Sequence, residues 1–207
     1  MPDREVIFGA GLGAWNGADT ATAAESVQLV TQADRDGLDL FSVADHPYFG
    51  AKLDAYALVS FLLGQIERIA GIVTVTNLPS RPAPVLARTI TSLSTLSGSD
   101  WLSPLYRESR PRIDAAAAAA GRDPAQVATV YNFGGRITPE PLAATRGEHG
   151  RWIGGSVQQW IDELTTAVLE HHASGFIYRS TDDTPAAGAL ARWATEIVPA
   201  VRDAIAS

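Results

Sequence analysis

The chain contains no cysteine, and it has no long run of apolar residues. Without cysteine it forms no disulfide, no thiolate metal site and no cysteine nucleophile. No stretch approaches the roughly 18 uninterrupted apolar residues of a membrane-spanning helix, so we expect no membrane partner. Residues 1–4 lead directly into a strand-like segment and not into a signal peptide, which favours a cytoplasmic protein.

Basic residues are also in short supply. The 16 lysines and arginines against 23 acidic residues give a net charge of −7. This balance leaves no basic stripe for a phosphate backbone, so nucleic acid is not an expected partner. The 4 histidines show no spacing with the acids that is typical of metal ligands, and we predict no metal site. A chain of 207 residues with 46% hydrophobic content is long enough for one core, and we expect a single domain over residues 1–207.

Strand-like and helix-like patterns alternate along the first half of the chain. The predicted strands cover residues 5–11, 38–44 and 68–77, and the predicted helices cover residues 18–37, 53–65 and 81–98. After residue 98 only residues 100–102 offer a strand before a further helical segment that ends near residue 121. The alternation then resumes with strands at 127–133 and 176–179, a polar loop at 134–155, and helices that begin after Ser156 and near residue 185. Ser156 and Gln159 have the spacing of a capping box.

Such an alternation predicts an α/β fold with a parallel sheet, and two architectures compete for it. The segment "GAGLGA", residues 9–14, fits a variant of the dinucleotide-binding fingerprint. In that fingerprint a helix begins inside the motif, whereas here residues 15–18 intervene. The segment is therefore better explained as a glycine-rich loop, and a (β/α) barrel is the alternative.

The second predicted strand, in "LDLFSVADHPY" (residues 38–48), ends at Asp45 and His46. Parallel α/β folds bind their ligands at the carboxyl ends of the strands. The pair is therefore a candidate site. A surface turn is the alternative, in which Asp45 caps the turn and His46 satisfies a loop carbonyl.

Several segments resemble the luciferase-like family of flavin- and deazaflavin-dependent oxidoreductases. They are the Asp45–His46 pair, "ERI" before the third strand, "TNLPSRP" (76–82) after it, and "LARTITSLSTLSG" (86–98) in the third helix. Three later segments follow in the family's order: "GRDPAQVATVYNFGGRI" (121–137), "GGSVQQWIDELT" (154–165) and "ATEIVPAVR" (194–202). The resemblance covers most of the chain.

The resemblance implies a TIM-barrel-like fold that is incomplete. About two strands, and the segment that helps to hold the cofactor phosphate, are expected to be missing after the third helix. An eight-stranded barrel typically needs about 250 residues. Because an incomplete barrel leaves strand edges open, and because the helix faces at residues 53–65 and 83–97 have lost neighbours, we expect a homodimer.

The resemblance also implies the site residues. Asp45 and His46 are expected beside the reactive edge of FMN or of the deazaflavin coenzyme F420, with His46 as a polar contact or proton donor. Thr76 and Asn77 match the place where family members put a non-proline cis peptide against the cofactor ring. The alternative, which the shortened chain favours, is an ordinary strand-to-helix turn that breaks at Pro79. Further cofactor contacts are expected from the following residues: Gly11, at the end of the first strand, and Gly154, Gly155 and Ser156, whose backbone donors open a helix and suit a phosphate.

Two functions follow from these expectations. The first is a luciferase-like monooxygenase or oxidoreductase that uses a reduced flavin or deazaflavin on a small organic substrate. The second is a cofactor-poor, shortened homologue that acts as a binding or dimerisation module. The start of the helix at Ser156 discriminates between them, because free backbone donors there favour the first function and a buried helix end favours the second.

Overall fold

The structure is a computed structural model. It describes residues 6–12, 20–48, 52–97, 115, 117–123, 128, 130–171, 173–181 and 186–206. The strands are β1 (Ile7–Gly11), β2 (Leu40–Val43), β3 (Ala70–Val73), β4 (Val130–Gly134), β5 (Arg136–Thr138), β6 (Gly154–Ser156) and β7 (Gly175–Arg179). The helices are α1 (Thr20–Arg35), α2 (Ala55–Leu63), α3 (Ala83–Ser97), α4 (Val157–Leu169), α5 (Ala186–Arg192) and α6 (Val198–Ala206). A π-helical turn, Trp193–Ile197, joins α5 to α6.

The main sheet has five parallel strands in the order β3-β2-β1-β7-β4. Helices follow β1, β2, β3 and β7, which confirms the predicted alternation. Within the described residues the sheet stays open, whereas a complete barrel closes with eight strands. The fold is therefore the incomplete barrel that the sequence predicts. The strand predicted at residues 100–102 and most of the region with the expected gap lie outside the described residues.

A second, two-stranded parallel sheet pairs β5 with β6, in a region where we predicted a loop. The prediction of a loop was wrong because these strands carry no alternating apolar pattern. Gly154 has a φ of 126°. A side chain at this position would place its Cβ 2.2 Å from the Arg136 carbonyl oxygen, so the pairing depends on glycine instead of on apolar side chains.

The two faces of the main sheet differ in chemistry. The outer face packs against the helices, and its side chains belong to a large apolar cluster with Phe8, Phe41, Val43, Val73 and Phe176 among its buried members. The inner face carries a smaller apolar cluster of Leu40, Ile72 and Ile177. Three tryptophans belong to the large cluster and anchor its packing: Trp152, Trp160 and Trp193.

The amino-terminal edge of the main sheet is held by ion pairs and backbone contacts. Asp39 accepts a hydrogen bond from the Phe8 N–H at 2.7 Å and pairs with Arg202 at 2.8 Å. Asp34 accepts from the Ile69 N–H at 3.1 Å. These contacts tie α1, α6 and the strands together at one edge, which leaves the carboxyl edge as the place for a site.

Replacing Gly9 tests the close approach of β1 to β2. A Cβ at this position would lie 2.2 Å from Leu40 Cδ1 and 2.9 Å from the Leu40 carbonyl oxygen. We expect Gly9→Ala to lower the free energy of unfolding, measured with urea, by about 1–3 kcal/mol. Gly188→Ala in α5 is the control, since nothing lies within 4 Å of its Cβ position, and it should raise stability by up to about 1 kcal/mol. Wild-type stability of Gly9→Ala would contradict the described register.

Candidate functional site

Asp45 is buried directly beyond the end of β2, with 3% of its surface exposed. Its carboxylate accepts hydrogen bonds from the Asn77 N–H at 3.1 Å and from Arg81 Nε at 2.9 Å. Its own N–H donates to the Val75 carbonyl at 3.0 Å. The structure thus brings Asp45 and Asn77 together. The contacts of the carboxylate are those of a group that positions the 74–81 loop, and a reacting role for Asp45 stays a prediction.

Arg81 connects this loop to the start of α2. Its guanidinium pairs with Asp45 and with Asp54, and it lies 4.2 Å from the centre of the Tyr56 ring. Asp54 is the N-cap of α2 and accepts from the Tyr56 and Ala57 N–H groups, each at 3.0 Å. The hydrogen bond to Asp45 raises the pKa of Arg81. Burial raises the pKa of Asp54, but its hydrogen bonds from Ala57 and Arg81 outweigh burial and leave that pKa below its usual value.

Thr76 is held from the other side of the same loop. Its Oγ1 lies 2.7 Å from the Tyr56 hydroxyl, and either oxygen can donate. Burial raises the pKa of the Tyr56 hydroxyl. The cis peptide bond that we expected at Thr76 and Asn77 is instead the Thr74–Val75 bond, two residues earlier in the chain.

His46 follows Asp45 but is partly exposed. Its Nδ1 lies 3.2 Å from the Tyr48 hydroxyl, and the two ring centres are 5.7 Å apart. The imidazole therefore lies at the end of β2 on the solvent side of the buried Asp45. Its role as a polar contact or proton donor stays a prediction.

Gly11 ends β1 at the same edge and lies beside Arg179, the last residue of β7. A Cβ at Gly11 would lie 3.4 Å from Arg179 Nε and 3.3 Å from the Tyr178 carbonyl oxygen. The absence of a side chain at Gly11 therefore accommodates the guanidinium. Burial lowers the pKa of Arg179.

The predicted phosphate-binding residues Gly154, Gly155 and Ser156 form β6 and are buried. The Ser156 N–H donates to Gln159 Oε1 at 3.0 Å, and the Gln159 N–H donates to Ser156 Oγ at 3.4 Å. The predicted capping box is confirmed, and it occupies both of these backbone donors. A role in phosphate binding stays a prediction for β6, but the start of α4 is buried and capped.

The described part of the chain contains neither a metal-binding cluster nor a membrane-spanning helix. No group of three or more His, Cys, Asp or Glu side chains there is arranged to hold a metal ion. No described helix is long and apolar enough to cross a membrane.

The sequence analysis missed several polar residues of this edge. Ser42 and Thr74 are buried in or next to β2 and β3, Arg179 ends β7, and Arg81 and Tyr56 connect the loop to α2. A strict period-two reading of each strand would have singled out Ser42, Thr74 and Arg179, since each follows an inward-facing apolar residue by two positions. The long-range pairing of Arg81 with Asp45 has no local signal.

Residues 5–99 match the family described as luciferase-like monooxygenase, which confirms the resemblance over this part of the chain. A comparison with curated proteins found no significant match.

Solved structures show the same fold along almost the whole chain. EDTA monooxygenase (EmoA) from Chelativorans sp. BNC1 superposes with a TM-score of 0.68 at 14% identity, over 97% of this chain and 94% of that one. Riboflavin lyase (RcaE), solved with modified FMN and riboflavin, gives 0.67 at 10% identity, over 96% and 92%. A match to the 3,6-diketocamphane monooxygenase of Pseudomonas putida, in complex with FMN, has a TM-score of 0.42 at 18% identity and covers 56% of this chain and only 34% of that protein.

A double-mutant cycle measures the Asp45–Arg81 pair. Asp45→Ala leaves a cation beside a buried site, and we expect it to cost about 3–5 kcal/mol of unfolding free energy. Because Arg81→Ala removes the same interaction, the two losses should overlap by about 1–3 kcal/mol in the double variant. The exposed Arg192–Glu196 pair is the control and should couple by about 0.3–0.5 kcal/mol. Strict additivity of Asp45→Ala and Arg81→Ala would show that the two side chains do not stabilise each other.

Tyr56 should make the free energy of unfolding depend on pH in the alkaline range. Because burial raises its pKa above the usual 10.0, the folded state keeps the phenolic proton where the unfolded state loses it. The contribution of Tyr56 to stability is therefore complete below pH 10 and is lost as pH rises through the folded pKa. In urea unfolding between pH 8 and pH 11, wild type should lose more stability than Tyr56→Phe. Parallel pH profiles for the two proteins would contradict this.

Proposed function

We propose that this chain, whose residues 5–99 match the luciferase-like monooxygenase family, binds FMN at the carboxyl edge of its main sheet and oxidises a small organic substrate. The observation that carries the proposal is the arrangement of this edge. Gly11 and Arg179 lie side by side at the ends of β1 and β7, and His46 follows the neighbouring end of β2. In parallel α/β folds this edge is where ligands bind.

One structural neighbour favours FMN over the deazaflavin, because the riboflavin lyase structure contains modified FMN. EmoA is described as a monooxygenase, which supports the class of reaction. Both share the fold of this chain at low identity, so neither supports a particular substrate.

Different residues of this edge are assigned different roles in binding and reaction. Arg179 supplies a cation at the end of β7, and barrels often bind phosphate at the loops after their last strands. Asp45 and Arg81 fix the loop that carries Thr76 and Asn77. His46 exchanges a proton with the substrate. When bound, the reduced flavin supplies the electrons that dioxygen activation requires.

The second candidate is the cofactor-poor binding or dimerisation module. One observation favours it, namely that the start of α4 is buried and that its capping box occupies the backbone donors of Ser156 and Gln159. That helix end then offers a phosphate fewer donors than an uncapped one. Cofactor titration separates the two candidates.

His46→Ala is the direct test of the first candidate. Titration of the purified protein with FMN, and in parallel with F420, should show saturable binding of FMN by wild type. His46→Ala should weaken binding or slow turnover and change unfolding free energy by less than about 1 kcal/mol, since the side chain is partly exposed. His171→Ala, at an exposed position after α4, is the control and should match wild type. No binding of either cofactor by wild type at millimolar concentration would favour the second candidate.

We also propose that the chain forms a homodimer through α2 and α3. A groove of about 570 Å³ lies between these helices. Its lining combines the apolar residues Leu63, Val85, Leu93 and Leu96 with polar residues that include Ser60 and Arg88. Leu96 is 84% exposed and Phe61 is 50% exposed. An apolar surface of this kind is typical of protein interfaces, and a two-fold axis would place the same face of a second copy against it.

Charge substitution on this face tests the dimer. Light scattering at micromolar concentration should give a dimeric mass for wild type and a monomeric mass for Leu96→Glu, because a buried, uncompensated carboxylate opposes association. Leu169→Glu, at another exposed apolar position on α4, should remain dimeric. A monomeric wild type would contradict the proposal.

A further inference from the structure

We propose that Tyr48 holds His46 in the tautomer that carries the ring proton on Nε2, so that His46 meets a bound ligand as a hydrogen-bond donor. This inference rests on the proposed function, in which His46 exchanges a proton with the substrate, and it adds a positioning residue to that site. Tyr48 was not among the site residues predicted from the sequence. It follows His46 by two positions, in the turn beyond the end of β2.

The backbone of His46 is constrained on both sides. The preceding residue, Asp45, donates its N–H to the Val75 carbonyl at 3.0 Å, and its carboxylate accepts from the Asn77 N–H at 3.1 Å. The following residue is Pro47, whose ring fixes its own φ and restricts the residue before it to extended conformations. These constraints fix where the His46 side chain leaves the backbone, but they do not set the rotation of its ring about χ1 and χ2.

Tyr48 contacts the ring of His46 directly. The Tyr48 hydroxyl lies 3.2 Å from His46 Nδ1, and the two ring centres are 5.7 Å apart at an interplanar angle of 55°. Tyr48 is 67% exposed, so burial in the core does not account for its position. Because an aromatic ring this exposed adds little hydrophobic stabilisation, its contact with His46 is the better explanation of its place in the site.

The chemistry of the two groups decides which of them donates. A neutral imidazole has one N–H and one nitrogen lone pair, and a phenol keeps its proton at neutral pH. The phenol O–H is a more acidic donor than the imidazole N–H, and the imidazole lone pair is a more basic acceptor than the phenol oxygen. The favoured arrangement therefore has Tyr48 donating to His46 Nδ1. The hydrogen bond at one ring nitrogen determines which nitrogen carries the proton, and here that nitrogen is Nε2.

The tautomer determines what kind of ligand atom His46 serves. A neutral imidazole with its proton on Nε2 donates a hydrogen bond from that atom. It suits a substrate that presents an acceptor, such as a carbonyl oxygen, and it can pass its proton to that oxygen as negative charge develops there. The opposite tautomer would make Nε2 an acceptor and His46 a base. The pairing with Tyr48 thus assigns His46 to the acid side of proton exchange and favours substrates with a carbonyl or similar acceptor oxygen.

NMR of the ¹⁵N-labelled full-length protein tests the tautomer without any cofactor. At about pH 8.5, where an ordinary imidazole is neutral, couplings between ring nitrogens and ring protons distinguish a protonated from an unprotonated nitrogen. His46→Ala assigns the signal of His46, and His171, which is exposed after α4, is the reference in the same spectrum. The ratio of the Nε2–H to the Nδ1–H tautomer should be about 2- to 10-fold higher at His46 than at His171, as expected for one hydrogen bond. In Tyr48→Phe, His46 should show the ratio of His171.

Acylation by diethyl pyrocarbonate is the second measurement. The reagent attacks the unprotonated nitrogen of an imidazole, which in wild type is the Nδ1 that Tyr48 engages. Mass spectrometry of the peptides should show His46 acylated about 2- to 10-fold faster in Tyr48→Phe than in wild type, with the rate at His171 unchanged. Tyr48→Phe should melt within about 3 °C of wild type, since the side chain is exposed and keeps its ring.

Equal tautomer ratios, or equal acylation rates, at His46 in wild type and Tyr48→Phe would overturn this inference and leave the proposed function intact. A proton on His46 Nδ1 in wild type would also overturn it, because Nε2 would then be an acceptor. A melting point of Tyr48→Phe far below that of wild type would show that Tyr48 has a structural role instead. Failure of wild type to bind FMN would overturn the proposed function, and with it the use of the Nε2 proton in the reaction, whatever tautomer the spectrum shows.

Discussion

The buried carboxylate of Asp45 is the constraint on which the carboxyl edge of the sheet depends. An ionised carboxylate removed from water costs several kcal/mol unless charges and hydrogen bonds compensate it. Asp45 is compensated by Arg81 and by the Asn77 N–H, both of which belong to the segment after β3. Because Arg81 also pairs with the N-cap of α2, one carboxylate fixes the ends of β2 and β3 and the start of α2. The edge is therefore fixed by contacts within the protein itself.

The main sheet is open within the described residues, so its inner face differs from that of a closed barrel. In a closed barrel the inner face is filled by side chains from all strands, whereas the described sheet has five parallel strands in one open arc. Its inner face has an apolar floor of Leu40, Ile72 and Ile177 and a polar upper layer that includes Ser42 and Thr74.

Sequence patterns predicted most helices and strands. For the candidate site they indicated only features formed by residues close together in the sequence. The strand at residues 38–44 and its end at Asp45 follow from an apolar run that stops at charged residues, and the capping box at Ser156 follows from a four-residue motif. The β5–β6 pair was not predicted, because neither strand has an alternating apolar pattern. The partner of Asp45 is 36 residues away in the sequence, and only the folding of β3 beside β2 brings Arg81 to it. The burial of Ser42 and Thr74 becomes visible only in the folded structure.

The most direct measurement of the central claim is a crystal structure of the protein with FMN. The account predicts that the isoalloxazine ring lies at the carboxyl edge of the main sheet, beside the ends of β2, β1 and β7, with the Asp45–Arg81 pair unchanged. Flavin bound elsewhere on the protein, or a carboxyl edge that stays empty at saturating FMN, would contradict it.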